Sequence, residues 1–289
     1  MNPSSKNQTN KGQARLGRFQ CRTPIALAVA LLALLGIAIQ TRAANGPDTW
    51  QGGSGTANFS LSGNWTSDSA NKPPITGDSL LFGAAGANGA VLNCDQNSFS
   101  YGGITFNSDA SAFTMGGNPF TLNGSIANNG TALETINNNI TLGANTTISL
   151  NSGGGNLTLN GNISGAKTIN LAGTGTLTLN GVNSFTGGCS VGAGQQINFN
   201  NSSVGGSSGN EIISGGTIDN TSLALVTLGA NSGTWAGDFA FGGTSPLFFG
   251  YYQTMSGGSR TVTVNGSMLA LTRFLSDGGN GYSLTKAGP

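Results

Sequence analysis

The chain contains no histidine, so acid–base chemistry near neutral pH would have to come from its ten carboxylates: Asp48, Asp68, Asp78, Asp95, Asp109, Glu134, Glu211, Asp219, Asp238 and Asp277. Without imidazole the commonest general base and the usual nitrogen metal ligand are both missing, and a Ser-His-Asp triad is excluded. Polysaccharide-cleaving β-proteins manage with grouped acids, or acids with Lys or Arg, on one outer face, but these ten are scattered singly. Asp219 and Asp238, 19 residues apart, are the pair whose spacing could stack two carboxylates on neighbouring turns of a repeat. Isolated acids on turns are more often solvated caps, and that is the expectation for all ten, this pair included. Cys94 and Cys189 have no partners at metal-ligand spacing. Ser276-Asp277-Gly278-Gly279-Asn280-Gly281 lacks the spaced acids of an EF-hand loop, and Gly153-Gly154-Gly155 is not followed by the lysine and helix of a phosphate cradle. The sequence therefore assigns no catalytic, cofactor-binding or metal-binding residue and implies no cofactor.

What such side chains would be mounted on is clearer. Leu-Thr-Leu-Asn-Gly occupies 157–161 and returns at 177–181, a step of 20 residues, with looser echoes at Phe120–Gly124 and Val262–Gly266. Leu157 and Leu159 fall on one face of an extended segment and Thr158 on the other, while Asn160 and Gly161 can take the positive φ that turns a chain sharply. A few leucines at about 1.5–3 kcal/mol each cannot order twenty residues alone, so such strands must stack on one another. From 111 to 203 the short alternations recur: Phe120–Leu122, Ile140–Leu142, Ile148–Leu150, Leu157–Leu159, Ile169–Leu171, Leu177–Leu179 and Ile197–Phe199. Their spacing places two or three strands in some coils. Looser runs follow to the end of the chain, among them Leu223–Leu228, Phe239–Phe241, Leu247–Phe249 and Thr261–Val264. The expected fold is all-β, a parallel β-helix (β-solenoid), and 49 glycines with only 7% charged residues leave little room for helix.

The ends differ from this middle. Lys6, Lys11, Arg15, Arg18, Arg22 and Arg42 precede the first acid, Asp48, and Ile25–Ile39 is an apolar run of 15 residues followed by Thr41-Arg42-Ala43. That is the pattern of a secretory signal peptide over 1–43, too short to span a bilayer. The chain after it has 5 basic and 10 acidic residues, a balance that argues against nucleic acid as a partner. Residues 44–110, with Trp50, Trp65 and the Pro73-Pro74 loop, read as an irregular N-terminal β cap region, and 111–289 as the solenoid repeat region. Trp50 and Trp65 are expected in packing, with a sugar-stacking surface as the alternative. Tyr251 and Tyr252 after Phe248-Phe249 fit lateral packing, or an exposed aromatic patch. Cys94 and Cys189 lie almost five coils of twenty apart, roughly 20 Å at the strand spacing, and are expected to be unpaired.

Gly173-Thr174-Gly175-Thr176-Leu177-Thr178-Leu179-Asn180-Gly181-Val182-Asn183-Ser184-Phe185-Thr186-Gly187-Gly188 resembles the autotransporter-associated β-strand repeat, which joins a Gly-x-Gly-Thr-Leu-x-Leu strand to Asn, then Ser or Thr, then Tyr or Phe, then Thr-Gly-Gly. Trp50-x-Gly-Gly-x-Gly through Asn64-Trp65, and Gly77-Asp78-x-Leu80, resemble the start of the mature region in such proteins. The resemblance implies a right-handed parallel β-helix in an exported, non-catalytic structural or adhesive passenger, secreted from or displayed on the outer surface of a Gram-negative-type bacterium. Extracellular glycan, matrix or a cell surface would be its partner, with membrane contact only through the export leader. Ser283–Pro289 resembles the entrance to a further repeat, so a C-terminal truncation within the repeat region is expected. The alternative is a glycan-active or glycan-binding β-helix protein, which would require two or more acids converging on one outer face.

Overall fold

Three-residue alternations form strands here because their outer residues find a common interior. In Phe120–Leu122, Leu157–Leu159 and Val226–Leu228 the end residues are buried and the central threonine points outward. The computed structural model describes residues 46–66, 72–151, 153–202, 209–229 and 232–289. The leader over 1–43, Cys21 and Asp68 lie outside these described residues. Ala43–Pro289 forms one compact unit. Among the described residues no helix is long and apolar enough to cross a membrane, and a short 3-10 turn at Ser62–Asn64 interrupts an otherwise β chain.

The chain winds as a parallel β-solenoid whose coils supply strands in turn to three faces. The first face runs through Ser79–Phe82, Gly103–Phe106, Ile126–Asn128, Thr146–Leu150, Ile169–Gly173, Cys189–Val191, Asn210–Ile213, Ser232–Trp235, Gln253–Met255 and Leu275–Ser276. The second runs from Val91–Cys94 through Glu134–Ile136, Leu157–Leu159 and Thr176–Leu179 to Arg260–Val264 and Leu284–Ala287. The third is carried by Phe99–Tyr101, Phe120–Leu122, Ile140–Leu142 and Ile163–Ser164, and resumes as Val226–Leu228, Leu247–Phe249 and Leu269–Leu271. The expected period is observed directly, with Leu157, Thr158 and Leu159 opposite Leu177, Thr178 and Leu179. The step varies from 20 residues there to 24 between Arg260 and Leu284. Extra residues are absorbed at the corners, because the strands themselves must keep register to keep their apolar residues inside.

Two local expectations change. First, Gly161 and Gly181 do not adopt positive φ. They are glycines because stacked backbones approach too closely for a side chain: a Cβ on Gly161 would overlap the Asn138 carbonyl oxygen, and one on Gly181 the Gly161 carbonyl oxygen. Gly124 stands in the same relation to Gly102. The Asn-Gly pair therefore marks a corner where coils nearly touch, rather than a left-handed turn. Second, regular parallel pairing reaches back past residue 111. Ser79–Phe82 already pairs with Gly103–Phe106, Val91–Cys94 with Thr114–Gly117, and Phe99–Tyr101 with Phe120–Leu122. These early strands contain no Leu-x-Leu, which hid their periodicity.

The irregular part is shorter and closes one end of the interior. Pro47–Trp50 pairs in parallel with Ser79–Phe82 on one side and antiparallel with Trp65–Thr66 on the other. Trp50 and Trp65 meet edge to face with centroids 5.1 Å apart, and Phe59 meets Trp65 at 5.0 Å. Both indoles are buried and donate, Trp50 Nε1 to the Ala85 carbonyl and Trp65 Nε1 to the Phe59 carbonyl, each at 2.9 Å. They are packing residues, and the sugar-stacking alternative for this pair fails on burial. Trp65→Ala is expected to lower the unfolding free energy by about 3–5 kcal/mol, as measured by urea titration followed by circular dichroism.

Candidate functional site

Asp219 and Asp238 do not form a stacked pair. Thr217 pairs with Ala240 and Ile218 with Phe241, so Asp219 lies level with the residue after Phe241 and Asp238 two places ahead of Ala240. Each is occupied locally. Asp219 is buried and accepts from the Thr244 backbone N–H at 3.0 Å and hydroxyl at 2.6 Å, and from the Asn220 N–H at 2.8 Å. Asp238 accepts from the Thr261 N–H at 2.8 Å. A 19-residue spacing falls short of the coil step at this point, which separates the two carboxylates along the strand direction.

The expectation that lone acids sit solvated on turns also fails for several of them. Asp48, Asp78, Glu134, Glu211 and Asp219 are all buried. Glu134 accepts from the Phe113 N–H at 2.8 Å, and burial pushes its carboxyl up to about 7. Glu211 is more isolated. It points inward from Asn210–Ile213 next to Cys189 of the preceding coil, and opposite Gly233 of the following one. Gly233 pairs in turn with Gln253, whose side-chain amide occupies the space a Cβ on Gly233 would need. Among the described residues, neither carboxylate oxygen of Glu211 and neither amide atom of Gln253 has a hydrogen-bond partner. Burial pushes the Glu211 carboxyl up to about 8, so it is predominantly protonated at neutral pH. The signal that could have found it is the alternation of its own strand, since Glu211 and Ile213 share the inward face.

Neither cysteine is presented to solvent. Both are buried and unpaired. Burial raises the Cys94 thiol, which lies 3.3 Å from the Tyr101 hydroxyl, and that hydroxyl donates to Gln96 at 3.0 Å. Burial raises Cys189 well above its ordinary value, with Glu211 adding to the effect. A thiol held protonated neither attacks nor ligates. Asp277 is half-buried and closed on its own turn, accepting from the backbone N–H groups of Gly279, Gly281 and Tyr282, which hold it below the usual carboxylate range. Among the described residues no group of three or more Cys, Asp and Glu gathers at metal-binding distance.

Part of the outer surface is built from repeated neutral groups. On the second face Thr114, Thr135, Thr158, Thr178 and Asn198 stand in register, one per coil. At the corner after that face the side chains of Asn137, Asn160, Asn180 and Asn200 form a ladder, each amide nitrogen donating to the carbonyl oxygen of the coil before at 2.7–2.8 Å. An open groove of about 280 Å³ on the first face is lined by Asn129, Ser149, Leu150, Asn151, Ala172 and Gly173. Its walls offer amides, a hydroxyl and apolar carbon but no titratable group, so it can hold a polar ligand and cannot shuttle a proton. No family model matches the chain, and neither the curated proteins nor the solved structures give a match.

Proposed function

We propose that the chain is an exported, non-catalytic scaffold, a structural or adhesive passenger that presents its coils outside a Gram-negative-type cell. The observation that carries this reading is the division of the side chains. Most of the reactive groups are turned inward or closed on their own backbone, whereas the second face and the corner after it repeat threonine and asparagine from coil to coil. Acid–base cleavage of a glycan needs acids of different pKa aimed at one solvent-reached point; a display scaffold needs a regular, neutral, hydrogen-bonding exterior. The basic leader and the resemblance of 173–188 to passenger repeats support export. The partner in this reading is an extracellular glycan, a matrix component or a cell surface, met through amide and hydroxyl arrays and not through charge.

The purified chain, applied to arrays of glycans and matrix proteins and to whole cells, is expected to be retained without turning over any glycan. Release of reducing sugar that is lost in the Asp219→Asn, Asp238→Asn double variant would overturn the non-catalytic reading in favour of a glycan-active β-helix protein. Retention abolished by about 1 M salt would instead point to charge as the basis of recognition.

A further inference from the structure

Polar atoms without a partner gather in one part of the interior. Among the described residues, six belong to four buried side chains of three successive coils: both carboxylate oxygens of Glu211, both amide atoms of Gln253, the Trp235 indole nitrogen and the Tyr251 hydroxyl. Glu211, Gly233 and Gln253 stand opposite one another in register on the inner side of the first face, and the Gln253 amide lies where a Cβ on Gly233 would be. One of the three ladders is also interrupted here. Among the described residues the third face has no strand between Ile163–Ser164 and Val226–Leu228. The coil that starts with Cys189–Val191 therefore lacks a third-face strand, and the coil of Glu211 has one that pairs only with the coil after it.

We propose that this part of the stack is a proton-held joint: with Glu211 neutral the coils stay closed, and with Glu211 ionised the first face parts locally around Asn210–Ile213 and exposes the Cys189 thiol, while the N-terminal coils remain shut. A buried carboxylate that has neither a cation nor a hydrogen-bond donor is costly, and the charge is relieved by reaching water. Opening is easiest where fewest backbone bonds must break, which is where the third ladder is missing. The surroundings supply no counter-charge. The titratable side chains turned inward beside Glu211 are Cys189, on the preceding strand, and Tyr251, before Gln253. From the second face Thr217–Asp219 turns Ile218 inward, and Asp219 is closed on Thr244 and Asn220. Arg260, bonded to the Trp235 strand, is taken up by the carbonyl oxygens of Trp235, Ser256 and Ser259. Burial holds the Glu211 carboxyl up to about 8 against an ordinary 4.5, so the joint is tightest below about pH 4.5, loosens with each unit above it, and levels off past about 8.

Cys94 is also buried and unpaired and lies in an early coil, so the chain carries its own control. The full chain without denaturant is treated with iodoacetamide from about pH 6 to about pH 9, and peptide mass spectrometry reads each cysteine separately. Cys189 is expected to be modified faster than Cys94. Its rate, corrected for the thiolate fraction of a free cysteine, should rise at least tenfold across this range. In Glu211→Gln that rise should disappear, with far-UV circular dichroism checking the fold. Should Glu211→Gln fail to fold, Glu211→Met gives the same reading. Three results would overturn the proposal: Cys189 and Cys94 modified in step, which means that the whole chain unfolds; a corrected Cys189 rate that does not change with pH; or a rise that persists without the Glu211 carboxyl.

Discussion

Glu211→Gln is expected to make the chain markedly more resistant to urea at about pH 9, and to remove most of the stability that the wild type loses as pH rises. The sign follows from where the proton is held. In the unfolded chain a glutamate ionises near 4.5, whereas burial pushes the Glu211 carboxyl of the folded chain up to about 8. Between these values the folded state binds more protons than the unfolded state, so unfolding becomes easier with each unit of pH and levels off above 8. The difference corresponds to about 5 kcal/mol, comparable with the total stability of many domains. Glutamine keeps the shape and carries no charge at any pH, so the two proteins should converge below about pH 4 and diverge above it. Glu134, pushed up to about 7 by burial, should leave a smaller residual decline that ends earlier. Urea midpoints measured across this range decide the matter. Parallel curves for variant and wild type would show that Glu211 reaches water.

Gly181→Ala should shift stability in the opposite direction, through a different cause. The added methyl would lie within the van der Waals envelope of the Gly161 carbonyl oxygen on the neighbouring coil, and the atom in its way is backbone. Relief requires parting two coils whose strands are hydrogen-bonded in register at Leu157–Leu177 through Leu159–Leu179. A loss of more than about 3 kcal/mol, or failure to accumulate as folded protein, is expected by comparison with core overpacking. Gly194→Ala is the matched control: its φ of +77° carries only the local cost of the left-handed region, about 1 kcal/mol, and its nearest neighbour is the Thr174 methyl at 3.4 Å. Thermal unfolding of the two variants separates close approach from backbone conformation.

The architecture was legible where one signal repeated. Leu-Thr-Leu-Asn-Gly at 157 and 177 states a period, an inward face and a corner, and these three facts define a coil of a solenoid. The coils before residue 111 were obscured because Ser79–Phe82 and Gly103–Phe106 bury a leucine or isoleucine with a phenylalanine, which breaks the visual repeat while preserving the alternation that matters to packing. The candidate chemistry was less legible, since a linear spacing becomes a distance only when the coil step is constant. Asp219 and Asp238 looked adjacent at a step of twenty and fall out of line at the step found there. Glu211 was overlooked for the opposite reason. Composition suggested that a lone acid stays wet, whereas its position in the strand alternation turns it inward between Cys189 and Gly233.

The asparagine ladder bears on how the protein ages. Asn160-Gly161 and Asn180-Gly181 are dipeptides of the kind most prone to deamidation, in which the peptide nitrogen of glycine closes on the asparagine side-chain carbon and ammonia departs. In the ladder the Asn180 carbonyl oxygen is held by Asn200 while its nitrogen donates to Asn160. The side chain must release both neighbours before it can cyclise. A folded coil therefore shields its own corners from hydrolytic wear, and conversion of Asn180 to aspartate in a sample would record how long that part of the chain had stood open.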